Sequence, residues 1–257
     1  MLLPTRFKLG RAFGIRHPVL PRMSAFLQTV DLPALPIKQD WYSSVASWGM
    51  LRNDVEGDCT IACVGHMAQQ ESIYAEVPDE IMTDEEAESQ YMALSGYDPT
   101  RPETDTGLYE GDVGKHWLKE GFMVGGKLDQ IVGFADCDIR DDDELKYSIL
   151  LTGNAMLGIM LPRKAELDLS LWDVPTNRDD AELIGGHCIP VMGWDQDHYF
   201  AVSWGQLVPV TKAFLWKYLL ETHASLTHRW MNAKGTTPAG VSWDFLVAAS
   251  RRFSHFA

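Results

Sequence analysis

Asn53-Asp54-Val55-Glu56-Gly57-Asp58-Cys59-Thr60-Ile61-Ala62-Cys63 decides how the rest of the chain is read. Asp58 is a residue type favoured just before a helix. From Cys59 to about Ala75 there is no proline and only one glycine, and Ile61, Val64, Ala68 and Ile73 recur at helical spacing. The spacing predicts a helix that opens at Cys59 and buries one face. A thiol in a first turn meets unsatisfied backbone N–H groups and the positive end of the helix dipole, which lower its pKa and favour the thiolate. The adjacent Asp58 carboxylate acts in the opposite sense. Cys59 is the candidate nucleophile.

Outward from this point, Thr83-Asp84-Glu85-Glu86 has the capping-box form and predicts a helix through about Leu94. Asp112 to Glu120 reads as a further helix stopped at Gly121, Asp142 to Thr152 as a helix, and Ala155 to Leu161 as an apolar strand. Cys188–Trp194 and Tyr199–Trp204 flank Asp195-Gln196-Asp197-His198, the form of a hairpin. A final helix is expected around Trp243 to Ala249. Helices dominate the first half and strands the second, an α+β pattern. Gly185-Gly186-His187 leads into the hairpin, and the paired glycines let the backbone and a substrate come close to the imidazole. Trp117, Trp194, Trp204 and Trp216 are expected in the core or on a groove wall.

The chain has 257 residues, 46% of them hydrophobic, and a formal net charge of −14. That suits one large domain or two small ones, and so acidic a chain is not a general nucleic-acid binder. The apolar run Ile149 to Leu161 is interrupted by Thr152, Gly153 and Asn154 and is too short to span a bilayer. No membrane partner is expected, and with no secretory signal pattern the expected location is the cytoplasm. The four cysteines are too few for a disulfide scaffold. No Walker loop, GxGxxG, HExxH or GxSxG occurs, so no cofactor is expected. Residues 1–30 carry five Lys/Arg and no acid, whereas residues 76–112 hold twelve Asp/Glu against Arg101 alone. The first segment reads as an extended basic arm packed on its own acidic body, or as a docking tail for a protein partner. The second reads as a solvated acidic face.

The order of these segments resembles the papain-like cysteine peptidase family. An amide six residues before a helix-opening Cys comes first, then Asp105-Thr106-Gly107 ahead of the helix with Trp117. Leu145 to Leu161 follows as helix plus strand, then Gly186-His187 with its apolar strand, then Ser203-Trp204-Gly205. The resemblance runs from about Asn53 to Tyr218. It implies a helical domain carrying the nucleophile, a β-barrel-like domain carrying the base, and a peptide or protein substrate in the groove between them. The corresponding division is an arm over 1–40, a helical part over 41–135 and a β-rich part over 136–257. By motif, Cys59 is the nucleophile, His187 the general base and acid, and Asn53 the oxyanion donor. In place of the family's imidazole-orienting Asn this sequence has Val202. Ser203 could accept a ring N–H, but strand alternation points it away from the face of Val202 and Trp204, so a Cys59–His187 dyad is expected. Asn53 is one methylene shorter than the family's Gln, and Thr60 stands where the family has Trp.

The implied reaction is hydrolysis of a peptide or isopeptide bond through a thioester. Two alternatives remain: a slow or inactive papain-like domain with a binding or structural role, associated with a virion if the chain is phage-encoded, and an acyltransferase using the same pair. Cys59, Cys63 and His66 also share one helix face, with Cys188 as a fourth ligand in an alternative metal site. Core packing is the favoured reading for Cys63 and His66.

Overall fold

The structure, a computed structural model, describes residues 5–12, 20–28, 32–77 and 80–251. Within the arm lie a short helix α1 (Met23–Leu27) and a two-residue strand β1 (Gln39–Asp40). The expected wholly extended arm is thus interrupted at Met23. Helices α2 (Cys59–Tyr74), α3 (Asp84–Ser95) and α4 (Glu110–Lys119) precede a small hairpin, β2 (Phe122–Val124) and β3 (Lys127–Asp129). Then come β4 (Ile131–Asp136), α5 (Asp142–Thr152), β5 (Ala155–Pro162), α6 (Arg163–Leu167), β6 (Leu183–Trp194) and β7 (His198–Ser203). The chain continues through β8 (Gln206–Thr211), α7 (Lys212–Tyr218), β9 (Leu219–Thr227) and α8 (Trp243–Arg251). No helix among the described residues is long and apolar enough to cross a membrane.

The local signals act as their chemistry dictates. Thr83 accepts from the Glu86 backbone while the Glu86 side chain accepts from the Thr83 N–H, and Gly96 ends α3 in the left-handed conformation. Asp141 caps α5 by accepting from the backbones of Asp143 and Glu144. Helix α2 departs from the one-faced expectation. Every residue from Cys59 to Ser72 is buried, because the helix runs through the middle of the molecule with neighbours on all sides.

The sheet order is β4-β9-β5-β6-β7-β8, wholly antiparallel, with β1 added to β6. Met156, Cys188, Met192 and Val202 on one face pack with α2 and with Val113 and Trp117 of α4. Leu157, Ile159, Ile189, Val191 and Tyr199 on the other face pack with Leu145 and Ile149 of α5 and Phe214 and Leu215 of α7. A third cluster gathers Met23, Leu226, Trp230, Trp243 and Leu246.

The β-barrel-like domain expected by resemblance is not formed. Strands β4 and β8 lie at opposite ends of an open sheet, and each outer edge is covered by a loop in place of the other strand. Asp136 of β4 donates its N–H to Pro21 (2.7 Å), and the Trp172 segment bridges to β8 through Pro209 and Thr211 (2.9 Å each). These bridges occupy one end of β4 and the second half of β8, where a closing strand would have to pair. Trp117, Trp194 and Trp204 are buried, whereas Trp216 is 40% exposed on α7.

Candidate active site

Cys59 is the first residue of α2, so its sulfur lies at the positive end of a buried helix. Asp58 occupies the N-cap position without making a side-chain capping bond. Its carboxyl instead accepts from Asn53 Nδ2 (3.1 Å), and burial drives its pKa well above the usual range. Asn53, assigned by resemblance to the oxyanion, therefore spends this donor on Asp58. The Cys59 sulfur is 1% exposed as a residue, and burial raises its pKa, with the charges of Glu110 and Asp58 adding to the rise. Backbone N–H groups of Cys188 and Gly10 donate to it and pull the other way.

His187 lies on β6 opposite Ile159 of β5, next to the residue whose N–H meets the Cys59 sulfur. Its Nε2 is 2.9 Å from Ser203 Oγ, and its ring stacks on Trp204 with centroids 4.5 Å apart and planes 17° from parallel. Val202 is buried in the core formed with α2, so the structure brings Ser203, not Val202, to the imidazole. The alternation expected to separate Ser203 from Trp204 stops where β7 ends. Trp204 has φ of 47°, Gly205 has φ of 68°, and this left-handed turn folds the indole back over His187. His187 Nδ1 is buried with no hydrogen-bond partner, and burial lowers the imidazole pKa to about 3. The ring is neutral here, and the thiolate–imidazolium pair is not formed.

The metal alternative finds no support in the geometry. His66 Nε2 lies 2.8 Å from the Gly49 carbonyl and its ring meets Trp48 edge-on. Burial depresses its pKa to about 4, as for a neutral core histidine. Cys63 packs against Met67 (3.7 Å) and neighbours Cys188. Among the described residues, no three His, Cys, Asp or Glu side chains converge as a metal set.

The described segment 5–12 of the basic arm threads the site, with Gly10 and Arg11 buried instead of lying on the surface. Leu108 N–H donates to the Gly10 carbonyl and Ala12 N–H to the Leu108 carbonyl (2.9 Å each), while Arg11 N–H donates to Gly186 (3.3 Å). A Cβ on Gly10 would collide with the Gly57 backbone, and one on Gly107 with the Gly10 carbonyl. The close approach allowed by Gly185-Gly186 is made by the Leu9 side chain and the Arg11 backbone of this segment. Phe7 stacks on Trp204 at 4.5 Å, extending the His187–Trp204 pile. The Arg11 guanidinium is buried against Glu110 (Nε to Oε1, 2.8 Å) and Glu221. Lys8 pairs with Asp105 (3.6 Å), whose carboxylate accepts the Gly57 N–H (3.0 and 3.1 Å). Asp105 and Glu110 thus belong to the site, not to a solvated acidic face.

Sequence reading missed Phe7, Gly10, Arg11, Glu110 and Glu221. Gly10 and Arg11 were legible only as a helix breaker and a surface charge, and Glu110 was submerged in an acidic run. Glu221 was missed because, His223 apart, its neighbours in the site are contributed by α4 and the arm.

Comparison with solved structures places this geometry. Xylellain, a cysteine protease from Xylella fastidiosa, superposes with a TM-score of 0.65 at 15% identity, over 88% of this chain and 99% of that one. The fold is that of a papain-like cysteine protease. A procathepsin B from Trypanosoma congolense matches this papain-like fold with a TM-score of 0.58 at 10% identity, over 86% of this chain and 87% of its own. A mite-allergen structure titled for the cross reactivity between Blo t 1 and Der p 1 matches at 0.57 and 13% identity, over 76% of this chain and 72% of its own. No protein-family model and no curated protein sequence matches the chain.

Proposed function

We propose that the chain is a cysteine peptidase or amidase that hydrolyses a peptide or isopeptide bond through a Cys59 thioester, and that the described conformation is its closed state. The observation that carries this reading is an extended backbone laid along a thiol at a helix start, beside a histidine held by Ser203 and Trp204. The arm itself presents an N–H from Gly10 to the sulfur. The arm lies where a substrate backbone would have to lie, so it blocks the site.

With the arm displaced, water reaches both groups, and the penalty that burial places on their charged forms falls. His187 then takes the Cys59 proton, and the thiolate adds to the substrate carbonyl carbon. The Cys59 N–H at the start of α2 stabilises the oxyanion, and Asn53 joins it by giving up its contact with Asp58. The C–N bond breaks as His187 returns the proton to the leaving amine. Water, deprotonated by His187, splits the thioester into a free acid and the Cys59 thiol.

The test is the rate of Cys59 alkylation by iodoacetamide as a function of pH, read by peptide mapping. In the native chain the buried thiol reacts slowly at all pH values where the fold holds. Gly10→Ala expels the arm by a backbone clash and exposes Cys59, which then alkylates well below the free-thiol pKa of about 8.5. Adding His187→Ala to that variant moves the profile back up. A second reading, a papain-like scaffold serving as a binding or structural protein, is favoured by the buried thiol and the unpartnered His187 Nδ1. That reading replaces the first if the exposed thiol titrates near 8.5 whatever residue stands at 187.

A further inference from the structure

Burying a guanidinium is expensive unless it is paired and hydrogen-bonded, and the Arg11 side chain is only 3% exposed. Its partners come from two distant elements, Glu110 at the start of α4 and Glu221 on β9, which present carboxylates to Nε and Nη2. Nη1 donates to the Ala12 carbonyl (3.3 Å). The space is made by Gly158 of β5, where a Cβ would strike both the guanidinium and the Glu110 carboxylate, and by Gly186, where it would lie 2.8 Å from the Arg11 carbonyl oxygen.

One half of the acidic wall is held independently of the arm. Glu221 is held from behind by His223 Nε2 (3.1 Å), whose Nδ1 pairs with Asp136 (3.0 Å). Glu110 is fully buried, and its Oε2 has no hydrogen-bond partner. Without Arg11, two converging carboxyl groups would face an opening beside Cys59 with only His223 as a counter-charge. Such a pocket demands a cation, and two carboxyl groups that take Nε and Nη2 of one guanidinium suit a planar fork better than the single ammonium of lysine.

We infer that the Glu110–Glu221 pocket is the specificity pocket of the site and selects substrates with an arginine side chain next to the bond held at Cys59, Arg11 of the chain's own arm occupying that place here. The inference rests on the proposed hydrolase reading but is tested apart from it.

In full-length Arg11→Ala protein, a dye-labelled peptide of residues 7–12, Phe-Lys-Leu-Gly-Arg-Ala, is titrated by fluorescence anisotropy. A matched peptide carries citrulline, which keeps the shape of arginine and removes its charge. The arginine peptide should bind at least about tenfold more tightly, and adding Glu221→Gln should erase the difference. Equal affinities, or no saturable binding of the arginine peptide, overturn the inference. A second measurement leaves Arg11 in place: Glu221→Gln alone should loosen the arm and speed Cys59 alkylation at least about tenfold, and an unchanged rate also overturns it. Arginine-selective binding without turnover of any arginine amide would sink the hydrolase reading and leave the pocket standing. Leucine amides turned over as fast as arginine amides would do the reverse.

Discussion

At the scale of single residues, the division of labour between Val202 and Ser203 is the sharpest feature of the site. Alignment with the family's Ser-Trp-Gly leaves the apolar Val202 where an imidazole-orienting amide is usual, and the neighbouring hydroxyl makes the contact instead. Ser203→Ala removes the partner of His187 Nε2. In the arm-released Gly10→Ala background it should slow Cys59 alkylation below pH 8 by about tenfold, the equivalent of one ordinary hydrogen bond, and move the pH profile upward. Val202→Asn, which restores the family residue by alignment, should do nothing for the profile. It places an amide in the core behind α2 and should cost about 1–3 kcal/mol of stability by urea denaturation. A profile that responds to residue 202 and ignores residue 203 would reverse these assignments.

At the scale of elements, the sequence was legible where a signal is local. The Thr83–Glu86 box and the Asp195 hairpin turn each depend on a few adjacent residues and are found where that chemistry puts them, and α2 opens at Cys59 as expected although Asp58 makes no capping bond. The all-round burial of α2 and the open sheet depend on which distant segments cover a face or an edge, which no local pattern encodes. Gly65 shows the difference. In an ordinary helix interior, glycine to alanine stabilises by roughly 1 kcal/mol. In α2 a Cβ at this position would lie 2.6 Å from Leu51 Cδ1 and 3.2 Å from Met82. Leu51 and Met82 are both buried, and the Met82 Cβ is bonded directly to the backbone, so there is little room for either to yield. Gly65→Ala should therefore destabilise by about 1–3 kcal/mol, measured as a lower urea midpoint with an unchanged slope.

At the scale of the whole molecule, the basic arm and the acidic body were legible as opposite charges, and their attraction was the expected outcome. The depth of the contact was not, because it requires the glycines at 10, 57, 107, 158 and 186, all well separated in sequence, to meet in one cleft. The consequence is a dry interior in which ionisable groups keep unusual protonation states. His66 offers the cleanest test, since it faces a carbonyl oxygen and an indole with no charged group against it. An imidazole whose pKa is lowered in the fold refuses a proton that the unfolded chain accepts. Its neutral form costs nothing above the unfolded value of about 6.5, and stability is lost as pH falls from there toward the folded value of about 4. The loss approaches about 3 kcal/mol across that window. His66→Phe removes the Gly49 contact and should be less stable than the native chain at pH 7.5. Because the variant has no group to titrate at this position, that deficit should shrink steadily as unfolding is repeated at lower pH, and it should be smallest near pH 4.5. A deficit independent of pH would mean that His66 is protonated as readily in the fold as outside it, and that the interior around α2 is wetter than its packing implies.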